Sequence, residues 1–278
     1  MAWLHIKRTW GANVYAQHIG EDFRADTGFV PQVGYRQLGG ALGYYMYPKK
    51  SSATDVRWFA TADYRDDLAG EAILRDQSFG VNIRGIRGMN ALLQANVARK
   101  ERTFAGDLIE ASYVAGVLQM LLSRRVPYVS LTAQYGEAVD FANSRPGEGW
   151  SLMGSVTLRP GTRLDAELTA GRRTLDVEGG RLFTADIART KLSYSFTAKS
   201  MLRAIAQYEA VDRETSRYLS TVPRHSGTLL GSLLFSYRLN WQTVVFAGYG
   251  DDQVVNQRAD LQPSRRTFFV KLSYALQR

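Results

Sequence analysis

The side chains that most often carry catalysis or hold metals are sparse in this chain. It contains no cysteine and three histidines, His5, His18 and His225. None of these histidines stands at metal-ligand spacing to another histidine or to a pair of carboxylates. Without cysteine, neither a disulfide framework nor a thiolate site can form. The sequence therefore predicts no metal site and no cofactor.

One dipeptide, His225-Ser226, resembles the base and nucleophile of an outer-membrane lipase. Neighbouring residues on an extended chain point to opposite sides. The sequence also identifies no carboxylate that would orient the imidazole, as a catalytic triad requires. We therefore predict that the protein is not an enzyme, and a hydrolase is the least favoured alternative.

A second segment, Gly248-Tyr249-Gly250-Asp251-Asp252, is rich in glycine. It follows a predicted strand and leads to no helix, so it does not fit a phosphate-binding loop. Asp251 and Asp252 are predicted to begin a long loop. They could bind calcium there, but a solvated acidic turn is favoured.

The elements that must position these residues show a period of two. Apolar and polar side chains alternate through most of the chain, which is typical of strands with one buried face. Each such segment is about ten residues long, whereas strands of soluble proteins average about five or six and membrane-spanning strands need about nine to eleven. The alternation is clear in residues 55–65, 78–87, 90–100, 128–136, 150–159, 163–173, 188–196, 201–210, 228–240 and 267–277, and weaker in 12–19, 37–47, 108–122 and 241–250.

The links between these segments alternate in length. Short links at 87–89, 124–127, 159–162, 197–200 and 239–241 are interspersed with long ones at 20–34, 65–77, 136–149, 209–227 and 251–266. This pattern is typical of the periplasmic turns and extracellular loops of membrane barrels. Because hydrocarbon offers backbone amides no partner, such a sheet must close. The sequence therefore predicts an all-β, antiparallel up-and-down transmembrane β-barrel of about 14 strands, within a range of about 12 to 16.

Aromatic residues support a membrane location. Amphipathic rings favour the boundary between hydrocarbon and water. The tyrosines predicted to lie at this membrane interface, each on the apolar phase near a strand end, are Tyr64, Tyr135, Tyr194, Tyr208, Tyr237, Tyr249 and Tyr274.

The polar phase of the strands would line the lumen of the predicted barrel. Its positive groups outnumber its negative ones, which suits a polar pore with mild anion preference; a lumen filled by paired charges is an equally weighted alternative. The lumen-lining candidates are Arg57, Arg65, Arg84, Arg163, Asp165, Glu167, Arg173, Arg189, Lys191, Arg203, Glu209, Arg238 and Lys271, with Asp63 and Lys100 on the same phase.

Several segments resemble a family of outer-membrane proteins in which a carbohydrate-binding module of the family-nine type precedes a C-terminal β-barrel of unknown function. The first is Asp22-Phe23-Arg24-Ala25-Asp26-Thr27-Gly28-Phe29-Val30-Pro31, followed by Gly34-Tyr35-Arg36, which resembles a signature near the start of that barrel. Residues 235–241, 248–252 and 269–274 resemble its end. The residues taken as the signature loop are Phe23, Asp26, Gly28, Phe29 and Pro31. We expect this loop to fold inward or to clamp a neighbouring segment.

The resemblance implies that residues 1–278 form a single barrel domain, the C-terminal part of a longer protein, here without its signal peptide and N-terminal module. It transfers no catalytic residue. The expected partners are the lipid bilayer and small polar or saccharide-like solutes. The net charge of +9 is spread along the chain as in solvated loops, and nucleic acid is not an expected partner.

Taken together, these patterns predict a channel or transporter in the outer membrane of a Gram-negative bacterium. The alternative is a structural membrane anchor for the missing carbohydrate-binding module. The sequence leaves the transported solute and the oligomeric state open.

Overall fold

The computed structural model describes residues 1–24, 32–255 and 260–275. Their regular structure is β apart from two single-turn 3-10 segments, Ile86–Gly88 and Thr215–Arg217. The described residues form 17 strands, and the strand pairs within each unit described below are antiparallel. The all-β antiparallel class predicted from the sequence is confirmed. No helix among the described residues is long and apolar enough to cross a membrane.

Most strands are longer than those of soluble sheets. Their bounds are β1 (Ala2–Ile6), β2 (Trp10–Ile19), β3 (Tyr35–Met46), β4 (Ala53–Asp67), β5 (Ala72–Gly85), β6 (Asn90–Asn96), β7 (Lys100–Arg102), β8 (Leu108–Glu110), β9 (Tyr113–Met120), β10 (Tyr128–Asp140), β11 (Arg145–Leu158), β12 (Leu164–Val177), β13 (Gly180–Ser195), β14 (Ser200–Arg213), β15 (His225–Arg238), β16 (Thr243–Val255) and β17 (Leu261–Tyr274).

The chain divides into two units. Unit 1 comprises Met1–Leu118, Ala133–Trp150 and Leu175–Gly180, and unit 2 comprises Gln119–Thr132, Ser151–Thr174 and Arg181–Arg278. In unit 1, β1 to β5 pair in chain order, and β5 then pairs with β6 and β7. In unit 2, β13 to β17 form a second antiparallel series, again in chain order. Within each unit the connections are therefore up-and-down, as the alternation of short links predicts.

The predicted count of about 14 strands is close to the observed sheet, and three local features account for the difference. β1 was not predicted. Residues 90–100 divide into β6 and β7, because the pairing moves from Ser78 opposite Asn96 to Arg75 opposite Lys100. One extra residue is accommodated there, as at a β-bulge. Residues 108–122 likewise divide into β8 and β9.

The link predicted at 20–34 has the expected bounds, whereas the other four predicted long links are shorter than expected. β4 and β5 leave only residues 68–71 between them, and β10 and β11 leave only 141–144. Asp251 and Asp252, predicted to begin a loop, lie inside β16. These strand ends carry polar residues on both faces, which hides the alternation that marks a strand.

Few apolar side chains are buried within the part of the chain that the structure describes. They are Ala111, Val139, Ala166, Leu175, Val177, Leu182 and Val255. Many large apolar residues are exposed instead, including Trp58 at 53% and Phe268 at 72%. A water-soluble domain of this length would bury a much larger apolar core.

We predict that the two glycines of β15 respond differently to an added methyl group. A Cβ at Gly227 would lie 2.3 Å from the Glu209 carbonyl oxygen, whereas at Gly231 the nearest atom is the Asp251 carbonyl oxygen at 3.6 Å. We expect Gly227→Ala to lower the free energy of unfolding by about 1–3 kcal/mol through overpacking. Gly231→Ala should change it by less than about 0.5 kcal/mol. Denaturant titration followed by tryptophan fluorescence measures both, and equal effects would contradict the prediction.

Candidate functional site

The strands of unit 2 have one apolar face. Cross-strand register places Tyr208 of β14 directly opposite Ala188 of β13 and Leu229 of β15. Tyr249 of β16 lies opposite Leu233 on the same face. Directly opposite residues share a face of an antiparallel sheet, so a continuous apolar surface runs across β13 to β17.

The tyrosines predicted to lie at an interface project from this kind of surface. Tyr135 is in β10, and its hydroxyl donates a hydrogen bond to Glu148. Tyr64 in unit 1 lies opposite Leu38 and accepts a hydrogen bond from Gln77. The remaining five, Tyr194, Tyr208, Tyr237, Tyr249 and Tyr274, share the apolar face of unit 2. Their assignment to a membrane boundary stays a prediction.

Unit 1 has a similar apolar face. Leu38, Leu42 and Tyr44 of β3 are exposed on the side that carries Trp58 of β4. Phe79 of β5 continues this surface and is also exposed. Both units therefore present large apolar side chains outward from long strands.

The opposite face of unit 1 is polar. Tyr15 donates a hydrogen bond of 2.9 Å to Asp63 Oδ2, and Gln37 Nε2 donates bonds of 2.9 and 2.7 Å to the two carboxylate oxygens of Asp63. Gly39, directly opposite Tyr15, leaves room for the ring, since a Cβ there would lie 2.4 Å from the phenol. Asp63 thus joins three adjacent strands on one face.

A second cluster on this side of unit 1 surrounds Arg99. Its guanidinium pairs with both Asp76 and Glu101. Asp76 also accepts a hydrogen bond of 2.9 Å from the Asn96 side chain. The Arg99 cation compensates the charges of both carboxylates, which would be costly to bury without an ionic partner.

Three predicted lumen-lining arginines lie on this polar face of unit 1. Arg84 pairs with Asp55 at 2.9 Å. The Arg57 guanidinium lies over the rings of Tyr45 and Phe59, and that of Arg65 lies 4.9 Å from the Tyr35 ring centroid. Among the described residues, neither Arg57 nor Arg65 forms an ion pair with a carboxylate, and the Nε atom of each is buried without a hydrogen-bond partner.

The polar face of unit 2 collects most of the other candidates. Arg189, Lys191, Arg203 and Glu209 share one face through the register of β13 with β14. Lys191 pairs with Glu167 at 3.3 Å. Arg189 Nε is buried and has no hydrogen-bond partner within the described chain.

Three further candidates belong to β12 or its entry turn. The Arg173 guanidinium lies 6.0 Å from the Phe183 ring centroid. Asp165 pairs with Arg159 at 2.6 Å. Arg163 immediately precedes β12 and is exposed in the turn rather than within the strand.

Arg238 and Lys271 lie near the edge of unit 2 where β15 ends and β16 begins. Arg238 is the last residue of β15 and is exposed. Lys271 lies opposite Phe246, which lies opposite Ser236, so it belongs to the polar phase of its strand. The structure thus distributes the candidates over two polar faces, and their role as a lumen lining stays a prediction.

Sequence patterns missed a set of cross-strand polar pairs on the apolar side of unit 2. Arg172 pairs with Asp186 at 2.6 Å, His225 pairs with Asp212, and Arg266 pairs with Asp251 at 3.1 Å. Each pair joins neighbouring strands beyond the apolar stretch. Only the register reveals them, because the partners are 13 to 15 residues apart in the chain.

The structure places a carboxylate beside His225 that the sequence did not identify. Asp212 contacts the imidazole Nδ1. Ser226, however, lies opposite Val211 on the other face and accepts a hydrogen bond of 2.6 Å from Arg213. His225 and Ser226 therefore do not form a nucleophile–base pair.

The signature loop falls mainly outside the described residues. This applies to Asp26, Gly28, Phe29 and Pro31, while Phe23 is described and exposed. The predicted inward fold of this loop stays a prediction. In the described ranges, no three His, Asp or Glu side chains are grouped closely enough to hold a metal ion.

Comparison with known proteins gives distant likenesses only. No family model matches the chain, and no curated protein does. The chain is similar to the outer membrane channel DcaP of Acinetobacter baumannii, with a TM-score of 0.49 and 10% identity over 96% of this chain and 94% of that one. It is also similar to OmpT, an outer membrane protein of Vibrio cholerae, with a TM-score of 0.32 and 10% identity over 98% and 99% of the two chains. Likenesses this distant do not identify a substrate.

A separate ion pair closes the end of β4 in unit 1, beyond its apolar stretch. Asp67 Oδ2 accepts a hydrogen bond of 2.7 Å from Arg102 Nη1, and its Oδ1 accepts one of 2.8 Å from the Glu71 amide. The bond from Arg102, then the bond from Glu71, holds the pKa of Asp67 below its ordinary value. The folded state therefore favours the ionised carboxylate.

We predict that this contact stabilises the protein only when Asp67 is ionised. A carboxyl group whose pKa is lower in the folded state stabilises it above the unfolded pKa of about 3.9, and this contribution disappears as pH falls through the folded pKa. The difference in unfolding free energy between wild type and Asp67→Asn should thus be constant above about pH 5 and vanish in acid. Denaturant titrations across pH test this, and a difference that persists in acid would contradict it.

Proposed function

We propose that this chain is an outer-membrane β-barrel whose polar face lines an aqueous path for small polar solutes. The observation that carries the proposal is the opposite chemistry of the two faces of its long strands. One face exposes residues such as Leu42, Trp58 and Phe268, and the other carries charged side chains. Lipid is the medium that would cover such an apolar face without a protein partner.

Strand dimensions support a membrane-spanning role. From Leu202, opposite Tyr194, to Asp212 there are ten residue steps along β14. Ten steps of about 3.3 Å span about 33 Å, which a tilt of about 40° reduces to about 25 Å. That height matches the apolar band of membrane barrels. Tyr194 at one boundary and the contact of Asp212 with His225 at the other mark where this band would end.

The architecture supports the proposed location. Transmembrane β-barrels are typical of bacterial outer membranes, and the proposal assigns this chain to the outer membrane of a Gram-negative bacterium. Backbone amides inside hydrocarbon must all be paired, so the sheet would close around its polar face. The short turns would face the periplasm.

The charge of the polar face favours anions. On the polar faces of the two units, Arg57, Arg65, Arg173, Arg189 and Arg203 form no ion pair with a carboxylate in the described ranges, whereas Asp63, Asp165, Glu167 and Glu209 each have a cationic or amide partner. Unpaired guanidinium groups raise the local concentration of anions in a narrow path. We therefore expect small anionic solutes, or saccharides bearing acidic groups, to pass more readily than cations.

A structural anchor is the second candidate, and the network of unit 1 favours it. The Asp63 and Arg99 clusters join several strands and cover part of the polar face of unit 1 with paired side chains. A lumen filled in this way would be rigid and closed. In this case the barrel would hold an upstream carbohydrate-binding module at the membrane.

Two measurements test membrane insertion and conduction in turn. Purified chain should float with phospholipid vesicles in a density gradient and should require detergent to stay folded without them. In planar bilayers it should then give discrete conductance steps. Folding in plain buffer would refute the membrane proposal. Insertion without conductance would replace the channel by the anchor.

Adjacent arginines on β12 provide a matched test of ion preference. Arg173 lies on the polar face, whereas Arg172 pairs with Asp186 on the other face. We expect Arg173→Gln, alone and with Arg189→Gln, to shift the reversal potential in a potassium chloride gradient toward cation preference, because the path loses positive charge. Arg172→Gln should leave the reversal potential unchanged. A shift of the same size in Arg172→Gln would contradict the assignment of the polar face to the ion path.

A further inference from the structure

The short turns of unit 2 carry only one sign of charge. These are residues 121–127, 159–163, 196–199 and 239–242, at the edge where β9, β11, β13 and β15 end. Neither these turns nor the strand-end residue Arg238 contains an aspartate or glutamate. The basic residues at this edge are all exposed: Arg124, Arg125, Arg159, Arg163, Lys199 and Arg238.

Backbone hydrogen bonds hold these turns side by side. The amide of Arg159 donates to the Arg125 carbonyl at 2.7 Å, and that of Arg238 donates to the Lys199 carbonyl at 2.8 Å. The Ser195 amide, next to the third turn, donates to the Arg163 carbonyl at 2.8 Å. The positive charges therefore form one row along this edge of unit 2.

Almost none of this charge is neutralised by the protein. Arg159 pairs with Asp165. The other five basic residues form no ion pair with a carboxylate in the described parts of the chain. The opposite edge of the same unit, by contrast, carries both signs of charge, and Arg172 and Arg266 are each paired with an aspartate there.

Exposed apolar side chains accompany the basic row. Trp241 is 69% exposed, and Phe196, Leu121 and Leu239 are also exposed in the same turns. Tyr194 and Tyr237 are each the second-last residue of the strand that precedes one of these turns, and both lie on the apolar face of the sheet. Aromatic and aliphatic groups next to cations are typical of protein segments placed at the level of lipid headgroups.

We propose that this edge of unit 2, the residues of the four short turns with Arg238, binds the anionic headgroups of phospholipids in the leaflet that it faces. The inference rests on the proposed membrane location. Arginine and lysine would contact the headgroup phosphates, which accept strong charge-assisted hydrogen bonds. Trp241 and Phe196 would enter the boundary below them. An acidic soluble partner would complement the charge but would leave these apolar residues uncovered.

The test compares lipid selectivity in three proteins. The wild-type chain, the triple variant Arg125→Gln, Lys199→Gln, Arg238→Gln, and the control Arg181→Gln, Arg224→Gln, Arg266→Gln are inserted into mixed phosphatidylcholine and phosphatidylglycerol vesicles. Bromine atoms on the chains of one lipid or the other quench nearby tryptophan. The Trp241 signal is the difference between each protein and its Trp241→Phe counterpart.

We expect phosphatidylglycerol to be enriched about fivefold over phosphatidylcholine next to Trp241 in the wild type. One basic residue near an anionic surface contributes about 1 kcal/mol, which corresponds to this factor. The preference should fall to near unity in the triple variant and persist in the control. It should also weaken in high salt.

The failures are distinguishable. Insertion without any preference for phosphatidylglycerol, or an equal loss in both variants, would overturn the headgroup site while leaving the membrane proposal intact. A wild-type chain that does not float with the vesicles would overturn both.

Discussion

Alternation of side chains across an antiparallel sheet is the constraint on which the rest of this structure depends. Once the hydrogen-bonded register is set, successive residues must project from opposite faces. Arg172 and Arg173 are neighbours in sequence, yet one pairs with Asp186 on the apolar side and the other lies over Phe183 on the polar side. The same rule separates His225 from Ser226 and removes a catalytic pair that their sequence positions suggest. A slip of one residue would exchange the two environments of every strand.

The polar faces meet a second requirement, since charges held among side chains must be compensated. Unit 1 does this with side chains of neighbouring strands. Asp63 accepts hydrogen bonds from Tyr15 and Gln37, and Arg99 forms ion pairs with Asp76 and Glu101. Elsewhere aromatic rings take the place of carboxylates, as beneath Arg57. A ring stabilises a cation without cancelling its charge. Arginines held in this way keep a positive potential, which is why the ion preference is assigned to them rather than to the paired residues.

Sequence periodicity was sufficient for the class of fold and for most strands, because an apolar side and a polar side leave a period of two. It failed where both sides are polar, so Asp251 and Asp252 were predicted in a loop although they continue β16. It also failed at the bulge between β6 and β7, where one extra residue interrupts the period. The sequence could assign the candidate arginines to the polar phase of their strands, but it could not identify the side chains that they contact. The Arg266–Asp251 and His225–Asp212 pairs depend on register, and register is set by pairing across strands rather than by local sequence.

The scarcity of buried apolar residues bears on how this protein is stabilised. Folding is ordinarily driven by removal of apolar surface from water. Here Leu42, Trp58 and Phe268 remain exposed after the sheet has formed, so pairing of the strands alone does not remove that surface. The missing contribution has to come from a medium that covers the apolar face. If that medium is lipid, as proposed, stability and membrane insertion are one process, in which backbone pairing and transfer to lipid each make the other favourable. The positive row of turns would act at the end of that process, because headgroup contacts fix depth only after the apolar face is in hydrocarbon.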